Sequence, residues 1–115
     1  MIKNVISDQA PKAIGPYTHA KIVKNLLFTS GQIAINPDTN EIQGNTIEEQ
    51  TVQVCENLKN VLNAANSSFE KVFKTTCFLK NMSDFARFNE IYEKYFISKP
   101  ARSCVAVNDL PKNSL

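Results

Sequence analysis

The sequence predicts an α+β domain: a mixed β-sheet carrying two helices on one face. Three observations lead there. Short β-branched stretches alternate with two stretches whose apolar residues recur every three or four positions, in the order β-β-α-β-α-β. A capping-box pattern opens the first helical stretch. An aromatic stripe runs along the second. The chain has 115 residues, enough for one hydrophobic core and short of a second domain.

Met1-Ile2-Lys3-Asn4-Val5-Ile6 is interrupted by charge and lacks the apolar core of a signal peptide. Ala10 to Tyr17 then carries two prolines and a glycine among apolar residues, which predicts an ordered, extended lead-in that places Tyr17 firmly. His19–Val23 and Leu26–Ile33 read as a hairpin turning at Lys24-Asn25. Gly31, late in the second of these strands, marks a bulge, a strand end beginning to turn, or a close approach of another group to the backbone. Asn36-Pro37-Asp38-Thr39-Asn40 is turn chemistry.

Thr46-Ile47-Glu48-Glu49 has the capping-box spacing, and the helix it opens runs to about Ala65. Val54, Leu58, Val61, Leu62 and Ala65 form its buried stripe, with Glu48, Glu56, Lys59 and Asn63 outward. Asn66-Ser67-Ser68 ends it, and Val72–Leu79 reads as a strand. Ser83 is the expected N-cap of a second helix reaching about Ile97, with Phe85, Phe88, Tyr92, Tyr95 and Phe96 as a core-facing stripe and Asn89 beside it.

Pro100 stops that helix, and the following stretch through Val107 reads as a strand with Arg102, Cys104 and Ala106 on one face. Asn108–Asn113 is a turn. Ser114-Leu115 looks like the start of a further strand. Arg102 is one of only two arginines. Its planar fork beside an apolar strand suits a carboxylate or phosphate held in fixed geometry.

The bulk numbers narrow the class. A net charge of +2 with scattered basic residues gives no reason to expect nucleic acid or an acidic membrane as partner. Three cysteines, Cys55, Cys77 and Cys104, form no CxxC pair, and there is a single histidine, so neither a zinc site nor a disulfide framework is favoured. Reduced, mostly buried thiols in a cytosolic protein are expected, with a mitochondrial location left open. No apolar run approaches the ~20 residues that span a membrane. Apolar residues on both faces of the strands, Phe28, Val72 and Phe78 among them, predict association of copies, with a site in the seam between them.

Ile14-Gly15-Pro16-Tyr17, Thr29-Ser30-Gly31-Gln32-Ile33, Phe88-Asn89-Glu90-Ile91-Tyr92, Pro100-Ala101-Arg102-Ser103-Cys104-Val105 and Leu110-Pro111-Lys112, in this order and spacing, resemble the RidA (YjgF-type) family of reactive-intermediate deaminases over essentially the whole chain. The resemblance implies a chorismate-mutase-like fold, a homotrimer with sites between subunits, and no cofactor or metal. It also implies hydrolysis of 2-imino acids and their enamine tautomers, such as 2-aminoacrylate and 2-iminobutanoate, to 2-keto acids and ammonia. Pyridoxal-phosphate dehydratases release these substrates. In that scheme Arg102 grips the substrate carboxylate, the main chain at Gly31 and Cys104 contacts substrate or water, Ser30 and Tyr17 line the cleft, and Asn89 completes it. Cys104 is then catalytic through its backbone rather than as a covalent nucleophile, although Arg102 beside it could lower its thiol pKa. The family's water-activating acid lies on a last strand, expected beyond Leu115. Two other readings stand beside this one: an endoribonuclease or translation inhibitor, also attributed to the family, and a non-enzymatic trimer that binds small carboxylates or acts as a chaperone.

Overall fold

The computed structural model describes residues 1–115. It holds strands β1 (Ile2–Val5), β2 (Ala20–Val23) and β3 (Leu26–Thr29), helix α1 (Ile47–Ala64), strand β4 (Lys74–Leu79), helix α2 (Phe85–Tyr95) and strand β5 (Ala101–Ala106). The α+β class is as expected, but the strands fall in two sheets. β1, β2 and β3 pair antiparallel in that order, and β4 pairs with β5 in parallel. No helix is long and apolar enough to cross a membrane.

α1 ties the sheets together. Thr46 Oγ1 accepts from the Glu49 N–H and the Glu49 carboxylate accepts from the Thr46 N–H, so the capping box forms as its spacing predicts. Gly44, just before it, has φ +95°, and a Cβ there would lie 2.5 Å from Glu49 Cβ. Only glycine can lead the chain into this cap. Towards its C-terminal end α1 sets Val61 against Val5, Ala10 and Ala20, the core under the three-stranded sheet. Nearer its middle it sets Cys55 against Tyr92 and Phe96, the core shared with α2 and β4. Glu48 and Glu56, expected outward, are half-buried: Glu56 accepts a 2.9 Å hydrogen bond from Tyr95 and Glu48 lies 3.8 Å from Arg87.

Several boundaries differ from the sequence reading. β1 is not evident from local pattern; it exists because β2 offers it a partner, Ile2 opposite Val23 and Val5 opposite Ala20. β3 stops at Thr29 rather than Ile33: the Ser30 N–H still donates to His19 O (2.9 Å), a last rung of the ladder, but Gly31 to Ile33 make no backbone bond to β2, and the Ser30 hydroxyl closes the end by donating to Thr18 O (2.6 Å). The next residues are held by α1: Asn57, fully buried, donates to Ile33 O (3.2 Å) and Ile35 O (2.9 Å). The Asn36 turn forms, with Asn36 Oδ1 accepting from the Asp38 N–H at 2.8 Å. A 3-10 turn, Met82–Asp84, replaces the expected Ser83 cap, and α2 ends at Tyr95, short of Ile97. Ser114 is extended but pairs with no strand; the Leu115 N–H donates to Gln50 Oε1 at 2.9 Å.

Between the sheets lies an apolar groove of about 940 Å³, lined by β3, β4, α1 and the C-terminal residues.

Candidate functional site

Arg102 is the centre of the site, and the parallel pairing of β4 with β5 sets where it points. Its register partner is Thr75, and side chains of directly paired residues share a sheet face. On that face lies α2. The Arg102 Nη1–H donates to Asn89 Oδ1 at 2.7 Å. The guanidinium carbon lies 4.7 Å from the Tyr92 ring centroid and 5.3 Å from that of Phe85, both within cation–π range. Tyr92 is fixed in turn, its hydroxyl 2.7 Å from Thr75 Oγ1.

The aromatic stripe therefore does more than fill the core. Phe85, Asn89 and Tyr92 are spaced by four and three along α2, one helical face. Phe85 and Tyr92, core by sequence pattern, form the platform on which Arg102 lies. The signal is in that spacing, but only the register of β5 shows which members of the stripe meet the arginine. No carboxylate pairs with Arg102 in this chain: the acidic partners in ion pairs serve Arg87 and Lys59. A half-buried guanidinium oriented by an amide and two rings keeps unpaired N–H donors for an external acid group.

Cys104 stands two residues further on the same face, half-buried, and is the register partner of Cys77. Burial pushes its thiol pKa up, and Arg102 opposes this without prevailing. The expectation that the arginine lowers the thiol pKa is thus corrected by desolvation, and the thiol is a poor nucleophile here. Of the three cysteines only Cys55 is buried, its pKa pushed up to about 12 by that burial.

The remaining expected site residues lie elsewhere in the subunit. Tyr17 is about half exposed, its N–H donating to Gly15 O at 2.8 Å and its ring against Gly15, and it lines a surface cavity of about 850 Å³ with His19 and Lys21. Ser30 and Gly31 line the apolar groove. Ser30 is engaged with Thr18 and His19. Gly31 is exposed, with nothing within 4 Å of where a Cβ would stand, and strand β3 has already ended. No bulge and no internal close approach calls for that glycine. Neither cavity is lined by Arg102, Asn89 or Cys104, so the structure joins Arg102, Asn89 and Cys104 and leaves Tyr17, Ser30 and Gly31 apart from them.

The single histidine is structural. His19 is buried, its Nδ1 accepting from the Ser7 N–H at 2.9 Å and its Nε2 lying 2.6 Å from Pro11 O. Both ring nitrogens are occupied, which withdraws it from acid–base work. No three His, Cys, Asp or Glu side chains converge on a point that could hold a metal ion.

A family model described as Endoribonuclease L-PSP matches residues 7–115. A Lactococcus lactis protein named as a candidate regulator, AldR, is 54% identical over 115 residues, covering 99% of this chain and 91% of its own. Among solved structures, YyfA of the Rid protein family from Yersinia pestis superposes with a TM-score of 0.96 at 43% identity, over 100% of this chain and 93% of its own. TdcF from E. coli, solved with bound serine, superposes with a TM-score of 0.92 at 38% identity, over 97% and 91%.

Proposed function

Because this chain belongs to the Endoribonuclease L-PSP family, with Rid and YjgF proteins among its relatives, we propose that it hydrolyses reactive 2-imino acids and their enamine tautomers to 2-keto acids and ammonia, as a homotrimer with sites between subunits. The observation that carries this reading is Arg102: half-buried, oriented by Asn89 and the Tyr92 and Phe85 rings, and without a carboxylate of its own. Serine bound in the related TdcF supports a small amino or imino acid as the class of ligand.

The chemistry asks little of the protein. The guanidinium takes the substrate carboxylate in a bidentate pair, which fixes the neighbouring imine carbon relative to β5. Water adds to that carbon; the carbinolamine collapses, nitrogen gains a proton, and ammonia leaves as the C=O forms. Backbone groups at Cys104, and at Gly31 contributed across a subunit seam, orient substrate and water. A shared seam accounts for a subunit that keeps Arg102 and Gly31 in separate places. It also gives Gly31, open in the subunit, a reason to lack a side chain.

Coupling the protein to a threonine dehydratase, with semicarbazide competing for the imine, tests the reading. Wild-type protein is expected to speed 2-ketobutanoate release and suppress the semicarbazone. Arg102→Ala is expected to cut the acceleration by about ten- to a hundredfold, the worth of a charged hydrogen bond of roughly 1.5–3 kcal/mol. No acceleration by wild-type protein over the dehydratase alone would sink the proposal. Endoribonuclease action gains no support from the one histidine, whose ring nitrogens are both engaged.

A further inference from the structure

Cys77 and Cys104 are register partners on adjacent parallel strands. Directly paired residues project from the same sheet face, and neighbouring strands lie about 4.7–4.9 Å apart. That distance falls inside the Cα separation of about 4.4–6.8 Å that a disulfide spans. Both residues are half-buried and unbridged, and each thiol perturbs the other's ionisation, as facing sulfurs would. Cys55 also senses Cys77, yet it is itself sealed in the core with Tyr92 and Phe96.

We propose that Cys77 and Cys104 are an oxidisable dithiol, closed by a hydroperoxide to an intrasubunit disulfide that bridges β4 and β5 two residues from Arg102. Cys104 reacts first, because it is the less buried of the two thiols and the more open to a peroxide. Its sulfur attacks the peroxide, the O–O bond breaks, and an alcohol (water, for hydrogen peroxide) leaves with the thiol's proton, giving a sulfenic acid at Cys104. The Cys77 sulfur then displaces the sulfenic hydroxyl, which departs as water with the Cys77 proton. Two thiols lose two electrons and one peroxide gains them. The raised thiol pKa values make the reaction slow at neutral pH and faster as pH rises. Formation of the bond does not depend on what Arg102 binds.

The test treats the full chain with hydrogen peroxide, blocks remaining thiols with N-ethylmaleimide and digests with trypsin without reductant. The expected product joins Thr75–Lys80 to Ser103–Lys112, two hydrogens lighter than the separate peptides. It is lost on adding dithiothreitol, still formed in Cys55→Ser, and present in the single-chain band of a non-reducing gel. Three results would overturn the proposal: both peptides recovered unlinked, Cys77 joined to the Asn25–Lys59 peptide that carries Cys55, or the link found only in a two-chain band.

Discussion

At Arg102, a neutral partner and two aromatic faces do what an acidic residue would do badly. A carboxylate beside the guanidinium would hold it as firmly but would compete with the substrate for the same donors. Asn89 fixes one nitrogen at 2.7 Å and leaves the charge unneutralised. Asn89→Ala is therefore expected to raise KM for the imino acid about tenfold, since positioning is lost while the charge remains. Asn89→Asp should do worse, because the new anion occupies Arg102, and added salt should relieve part of the defect. The dehydratase-coupled assay at two ionic strengths checks the order; an Asp variant as active as the Ala variant would contradict it. Arginine, thiol and asparagine are legible as types in the sequence. Their grouping comes from resemblance, and the Tyr92 and Phe85 platform is hidden because an aromatic helical stripe reads as core until the register Thr75 to Arg102 is known.

Single elements are legible where one local interaction decides them. The capping box, the Lys24-Asn25 turn and the Asn36 turn are each closed by residues a few positions apart, so spacing alone gives them away. β1 cannot be read this way: only Val5 of its four residues is buried, and the strand exists through its pairing with β2. The same contrast predicts what two substitutions cost. Thr46→Ala removes one side-chain acceptor at an exposed helix end and is expected to cost about 1 kcal/mol. Asn57→Leu strands the buried Ile35 carbonyl, while Ile33 O keeps its bond from the Ile35 N–H, and is expected to cost about 2–3 kcal/mol, with the Gly31–Ala34 segment loosened. Urea unfolding of the two variants measures the difference; equal midpoints would show that Asn57 is not what holds that segment. The cap also responds to pH. Hydrogen bonds from the Asn45 and Thr46 backbone hold the Glu49 carboxyl below its ordinary value, so its contribution is present above that value and fades as pH falls through the lowered one.

Across the whole molecule, β4 and β5 have two unlike faces, and the sequence's apolar surplus is explained by the second. Thr75, Cys77, Arg102 and Cys104 turn towards the helices. Lys74, Thr76, Phe78, Ala101, Ser103 and Val105 turn the other way, and all six are exposed. Phe78 and Val105 are register partners on that open face, and Phe28 and Phe73 are also more than half exposed. An open sheet face with aromatic residues is costly in water, since each Å² of apolar surface left uncovered forgoes about 25 cal/mol. If copies of the chain cover it, a charge placed at Phe78 must separate them. Phe78→Glu is accordingly expected to lower the sedimenting mass from three chains to one, with little loss of subunit stability because the side chain is already exposed. Should the seam also complete the site, the separated subunit loses its deaminase rate while Arg102 and Asn89 keep their bond, and activity returns with chain concentration. A wild-type protein that sediments as one chain, or a Phe78→Glu monomer that keeps full activity, would rule out a site shared between subunits and confine the chemistry to the Arg102 face of a single chain.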